Sequence, residues 1–215
     1  RIQLLLVDGE KIVKRIRTGG FILGDEGSAS ALGKAFIADF IKDLVPENVA
    51  SEFRKKFDSS YETIVEKVYR SQTSPSGYLG SFAPFLIQYY ETEPYIKELI
   101  DNNFRSFIRR VLKQYEAGVP VGIIGGFGFA LKDIFKRIAQ EEGITVSGFL
   151  ASPIEGLIKI TARNRPPALL SDIQFHSKNP VPHQPDSVLH LLRIWQMENI
   201  QFYNSLNTNT LHKHS

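Results

Sequence analysis

The chain has 215 residues, of which 42% are apolar and 23% charged, a composition typical of one large or two small globular domains. A net charge of +3, without a stripe of basic and aromatic residues, argues against nucleic-acid binding. No apolar run approaches the roughly 18 residues of a transmembrane helix, and the absence of cysteine excludes disulfides, thiolate metal sites and a cysteine nucleophile.

The first part of the chain predicts a β-hairpin followed by helices. "IQLLLVDGEKIVKRIRT" reads as two strands joined by an Asp8-Gly9 turn. Residues 28–45, "SASALGKAFIADFIKDLV", have a helical apolar period that stops before Pro46. Ser59 with Glu62 forms a capping box for a helix at 60–70. The other helices are predicted at 47–57, 76–91 and 94–115.

The pattern changes in the segment 119–150, "VPVGIIGGFGFALKDIFKRIAQEEGITVSGFL". Here an apolar strand, a glycine loop, a helix and a second strand follow one another. Together with the hairpin, this predicts an α/β organisation in which helices are inserted between the parts of a small sheet.

The composition divides sharply near residue 160, which predicts a domain over 1–160 and a separate tail over 161–215. Pro-rich residues 161–186 indicate an extended linker, and a short amphipathic helix capped by Asp186 or Ser187 follows it. The histidine spacings match no familiar ligand pattern, so we expect no metal site among them. All histidines and the single tryptophan and methionine lie in the tail: His176, His183, His190, His212, His214, Trp195 and Met197.

The segment "TGGFILGDEGSASALGKAF" places two acids, Asp25 and Glu26, between Gly24 and Gly27 just before a predicted helix. Both acids could complement the positive end of the helix dipole. Carboxylates on a glycine-bracketed loop could equally accept hydrogen bonds from a polyol, or hold Mg²⁺ through water. The residues alone leave both interpretations open.

A second glycine loop joins the strand at 121–124 to a helix from about Ala130, through Gly125, Gly126 and Gly128. Glycines let backbone approach a ligand closely, and a helix N-terminus offers free N–H groups, which suits a phosphate or a nucleotide. The spacing is not that of a Walker loop, and a tight, closely packed turn would explain the same glycines.

The loop sequence "GGFILGDEGSASALGKAF" closely resembles the hallmark segment of the N-acetylglucosamine kinases and the broader BadF/BadG/BcrA/BcrD ATPase family. Further segments are similar to the family in the same order: "LLVDGEKIV", "IVEKVYR", "FAPFL", "DNNFRSFIRR", "VGIIGGFGFALKDIFKRIAQEEG" and "SPIEGLIKI". The resemblance covers about residues 4–160. It implies a ribonuclease-H-like, actin-like ATPase domain with a helical insertion, followed by a tail foreign to the family.

The resemblance implies a cytoplasmic kinase, expected as a homodimer, that transfers a phosphoryl group from ATP with Mg²⁺ to an amino sugar such as N-acetylglucosamine. Asp25 would accept hydrogen bonds from sugar hydroxyls, and Glu26 would have a structural role. The sugar-lining positions of the family fall on Thr18, Gly19, Gly20 and Asp25. The positions that contact ATP fall on Asn103, Gly125, Gly126 and Ala130.

The family's first phosphate loop and catalytic aspartate would precede Arg1, and its second phosphate loop is absent from the position where "RIQL" stands. We therefore expect a C-terminal domain that holds no catalytic residue and is inactive alone. One alternative is a non-catalytic remnant that binds a sugar or a nucleotide. A second is an ATPase activator of a 2-hydroxyacyl-CoA dehydratase, whose iron–sulfur cluster needs cysteines that this chain lacks.

Overall fold

A computed structural model of the chain describes residues 4–8, 11–70 and 74–154. The predicted boundary near residue 160 and the predicted tail over 161–215, with its linker, capped helix and histidines, lie outside these residues. Of the helices in the described part, none has both the length and the apolar character that crossing a lipid bilayer requires.

The chain divides into two compact units. The first comprises residues up to 123 together with 127–149, and the second comprises 124–126 together with the chain from residue 150 onward. The structure describes 124–126 and 150–154 of the second unit. Nearly all the helices and strands below therefore belong to the first unit.

The predicted hairpin is confirmed as strands β1 (Leu4–Asp8) and β2 (Lys11–Ile16). The strands are antiparallel, with Leu4 opposite Ile16, and an irregularity at Leu6/Val7 shifts the register. Such a bulge bends a strand locally and increases its twist. The two residues of the predicted turn that follow Asp8 lie outside the described residues.

The described residues between the hairpin and residue 114 are mainly helical. A single helix predicted over 76–91 is wrong: two short helices replace it, because Pro84 has no N–H to donate to the preceding turn. The predicted cap at Ser59 is also wrong, since the Ser60 hydroxyl accepts the Thr63 N–H at 3.2 Å. The helices are α1 (Gly20–Leu23), α2 (Ala29–Phe40), α3 (Glu47–Lys56), α4 (Tyr61–Val65) with a π-helical extension (Glu66–Arg70), α5 (Pro75–Gly80), α6 (Ala83–Ile87) and α7 (Pro94–Arg110) with a 3-10 turn (Leu112–Gln114).

Aromatic side chains form the core of this helical region. The Phe53 ring packs edge-on against the rings of Phe36 and Phe82, at 4.9 and 5.1 Å between centroids. Helix α2 approaches α5 so closely that a Cβ atom at Gly33 would lie 1.9 Å from the Leu79 carbonyl oxygen. The glycine is therefore needed for the two helices to pack at this distance.

The last described elements are β3 (Val121–Ile124), α8 (Gly126–Ala130), α9 (Lys132–Glu141) and β4 (Val146–Leu150). The strands β3 and β4 pair with each other. The two strands are parallel, since the Val121 N–H donates to the Thr145 carbonyl and, further along both strands, the Gly125 N–H donates to the Leu150 carbonyl. The described strands thus form two separate two-stranded sheets, and the mixed α/β character is confirmed.

Salt bridges join α7 to α9. The buried Asp101 carboxylate accepts hydrogen bonds from Arg137 Nη2 to both of its oxygens at 2.8 Å, and from the Tyr90 hydroxyl at 2.8 Å. Directly after the end of α9, Glu142 accepts hydrogen bonds from Arg109 and from Lys113. These charged pairs fix the orientation of α9 on α7.

We expect Gly33→Ala to lower the free energy of unfolding by about 3 kcal/mol, because the new methyl group overlaps the Leu79 carbonyl and α2 must move away from α5. Gly77→Ala in α5 is the matched control, since its Cβ would meet only Ser74 at 3.6 Å. A helical Gly→Ala change of this kind is neutral or stabilises by up to about 1 kcal/mol. Urea unfolding of both variants measures the contrast, and equal effects would contradict the close approach.

Hydrogen bonds from Arg109 and Lys113 lower the pKa of Glu142 from 4.5 to about 2. A carboxylate whose pKa is lower in the folded state stabilises the fold above its unfolded pKa, and this contribution is lost as the pH falls. We therefore expect Glu142→Gln to flatten the loss of stability between about pH 5 and pH 2. Urea unfolding at several pH values tests this, with Glu116→Gln at an exposed position as the control. An unchanged slope in Glu142→Gln would contradict it.

Candidate functional site

The loop between β2 and α2 brings together the residues predicted to line a sugar. The Asp25 N–H donates to the Thr18 carbonyl at 3.1 Å, and the Gly24 N–H donates to the Gly20 carbonyl at 2.8 Å. These two bonds close the loop around α1. They place Thr18 and Asp25 side by side although they are separated in the sequence.

Two different physical constraints require glycine in this loop. Gly19 and Gly20 have φ values of 72° and 70°, in the left-handed region that costs other residues free energy. At Gly24 the constraint is space, because a Cβ atom would lie 1.8 Å from the Thr18 carbonyl oxygen. The loop conformation therefore depends on glycine at each of these positions.

Asp25 is 3% exposed and adopts a φ of 59°, so a buried acid occupies a left-handed backbone position. Its carbonyl accepts the Ser28 N–H at 3.1 Å. The hydroxyl of Ser28 in turn caps α2 by accepting the Ala31 N–H at 3.0 Å. The helix cap is therefore supplied by a serine and not by either acid.

Glu26 forms an ion pair with Arg110 at 3.2 Å, and its side chain is 17% exposed. This contact agrees with the structural role expected for Glu26. The neighbouring helix α1 is held from the other side, because Lys34 Nζ donates to the Phe21 carbonyl at 2.8 Å. Both contacts fasten the loop to the helices beneath it, and the sequence pattern indicated neither.

Asn103 lies on α7 and contacts the loop over residues 17–28, which carries Asp25 and Glu26 and is called the acidic loop below. Its Oδ1 accepts the Gly27 N–H at 3.0 Å, and its Nδ2 donates to the Ser28 carbonyl at 3.1 Å. The structure thus places Asn103 with the sugar-lining residues of the loop. Its predicted contact with a nucleotide stays a prediction.

The second glycine loop starts its helix earlier than predicted, since α8 begins at Gly126 and Ala130 is its last residue. Gly128 is needed for close packing against Ile123, because a Cβ atom there would lie 2.7 Å from Ile123 Cγ2. Gly125 has a φ of 137° and open space around its Cα. Its N–H already donates to the Leu150 carbonyl at 2.9 Å, so this group is not available to bind a phosphate.

A metal site of three grouped acidic or histidine side chains is not found among the residues that the structure describes. The predicted use of ATP and Mg²⁺ stays a prediction.

The chain is similar to a solved structure, a "Putative N-acetylglucosamine Kinase" from Porphyromonas gingivalis, with 32% sequence identity and a TM-score of 0.70. The match covers 75% of this chain and 57% of that one, so this chain spans a little over half of the length of the protein that it resembles. No protein-family profile matches the chain, and no curated protein shows significant similarity to it. The structural similarity supports the resemblance to sugar kinases.

The close contact of the acidic loop with α7 generates a prediction about two of its glycines. Gly20 and Gly27 both have left-handed φ values, but only at Gly27 would a Cβ atom overlap a neighbour, at 2.7 Å from Phe107 Cβ. We expect Gly20→Ala to cost about 1 kcal/mol of backbone strain. Gly27→Ala should cost about 3 kcal/mol, because the loop must also move off α7. Thermal and urea unfolding measure both, and equal losses would contradict the close contact.

Proposed function

We propose that this chain supplies the sugar-contacting and nucleoside-contacting walls of an ATP-dependent amino-sugar kinase, with N-acetylglucosamine as the sugar. The observation that carries the proposal is the structural similarity to the Porphyromonas gingivalis protein, at 32% identity over 75% of this chain. The order of the matching sequence segments agrees with it. We further propose that the described strands and helices belong to a ribonuclease-H-like fold.

In this proposal Asp25 binds the sugar by accepting hydrogen bonds from its hydroxyls. A carboxylate acceptor forms stronger hydrogen bonds than a neutral one, and the burial of Asp25 reduces screening by water. The loop bonds to Thr18 and Gly20 hold the acid in place before the ligand arrives. A preorganised acceptor loses little conformational entropy on binding.

The nucleotide would lie against the glycine loop, where the open backbone of Gly125 leaves room for a flat group. Mg²⁺ bound to ATP would neutralise charge on the phosphates that a sugar hydroxyl attacks. This chain's own contribution is then to orient the sugar and to exclude water from it.

Calorimetric titration with N-acetylglucosamine tests the role of Asp25. We expect Asp25→Asn to weaken binding by about tenfold or more, because an amide is a weaker acceptor and adds a donor beside the hydroxyls. Asp43→Asn is the matched control, since Asp43 also has a left-handed φ, of 55°, but is exposed. Asparagine tolerates this backbone region, so neither variant should lose its fold.

Equal affinities in Asp25→Asn and Asp43→Asn would contradict the sugar-binding role. Absence of binding in the unaltered chain, with ATP and Mg²⁺ present as well as absent, would contradict the choice of sugar. Binding of glucose as tight as that of N-acetylglucosamine would contradict selection of an amino sugar.

A further inference from the structure

One residue of the acidic loop has a left-handed backbone conformation that is uncommon for residues other than glycine. Asp25 has a φ of 59°, and it follows Gly24, which has a neighbouring carbonyl where a side chain would stand. Backbone strain of this kind persists only where the surroundings determine the conformation. The contacts of the loop with its neighbours should therefore show what holds it.

One face of α7 provides three of these contacts. Asn103, Phe107 and Arg110 follow one another at intervals of four and three residues, so they form a stripe along one side of the helix. We call these residues the α7 stripe. Asn103 binds Gly27 and Ser28, the Phe107 side chain leaves no room for a Cβ atom at Gly27, and Arg110 pairs with Glu26.

Within the α7 stripe, Asn103 makes the most specific contact. Its Oδ1 accepts a hydrogen bond from one backbone N–H, and its Nδ2 donates one to a backbone carbonyl, at 3.0 and 3.1 Å. These two groups belong to Gly27 and Ser28, directly after the acids. Because the Ser28 N–H also donates to the Asp25 carbonyl, a shift of Ser28 would be transmitted to Asp25. Arg110 is a looser restraint, since its side chain is 68% exposed.

We infer that Asn103 is a positioning residue for Asp25, and that it fixes the backbone of the loop so that the carboxylate is held ready for the sugar. The inference rests on the proposed function. It assigns Asn103 an indirect role in sugar binding, through Gly27 and Ser28, with no contact between its own side chain and the sugar.

Three variants of the full chain test this inference. Asn103→Ala removes both hydrogen bonds to the loop. Asn103→Asp keeps the acceptor for the Gly27 N–H but cannot donate to Ser28. Asn102→Ala is the matched control, since it removes the same side-chain type from an exposed neighbouring position on α7. The readouts are the Asp25 Cα chemical shift, the exchange rate of the Gly27 amide hydrogen, the melting temperature and the dissociation constant for N-acetylglucosamine.

In Asn103→Ala we expect the Asp25 shift to move and the Gly27 amide to exchange about tenfold faster. The dissociation constant should rise by about tenfold, while the melting temperature stays within a few degrees of the control. Asn103→Asp should retain slow exchange at Gly27 and lose part of the affinity. Asn102→Ala should change none of these quantities.

Weaker binding in Asn103→Ala with an unmoved Asp25 shift would overturn the inference, because Asn103 would then contact the ligand itself. An unchanged dissociation constant despite a moved loop would overturn it as well. If the unaltered chain does not bind the sugar, the proposed function fails for that ligand, and the Asp25 shift alone decides whether Asn103 sets the loop. Should Asn103→Ala not fold, Asn103→Asp decides: unmoved Asp25 and Ser28 shifts would overturn the inference.

Discussion

Helix α7 has to contact three sets of neighbours at once, and the arrangement of the described helices depends on this constraint. Phe104 and Ile108 are buried in the core. On the same face Asp101 binds Arg137 of α9. On another face Asn103 binds the acidic loop. Because residues three and four positions apart share a helix face, a rotation of α7 that suited one neighbour would disrupt the other two.

The buried Asp101 shows how strictly this orientation is set. Its two oxygens accept hydrogen bonds from Tyr90 and Arg137, and Arg137 also binds Glu141. A buried ion pair adds little net stability, but a buried charge that loses its partner costs several kilocalories per mole. The pair therefore contributes mainly by making other arrangements of α7 against α9 unfavourable. The same helix then offers the loop a surface of defined orientation.

The sequence was sufficient for the parts of the fold that depend on neighbours along the chain. The hairpin, the strand at β3 and the helix that Ser28 caps follow from local periodicity and turn residues. The division between α5 and α6 could have been predicted too, since Pro84 lies inside the predicted helix. Local patterns could not show that Asn103 meets Gly27, because these residues are 76 positions apart. The left-handed backbone of Asp25 was not predicted either, since the residues that follow it are bound by a distant helix.

Different residues of the acidic loop have different roles. Ser28 caps the helix and Glu26 pairs with Arg110, so two polar residues of the loop serve the fold. The left-handed backbone at Asp25 costs free energy, which the bonds of the surrounding loop must offset. A loop held by a packed helix presents its groups to a ligand with little further ordering, so the entropy cost of binding is reduced. In the proposed function, affinity for the sugar would therefore depend partly on α7, through side chains that contact the loop but not the ligand.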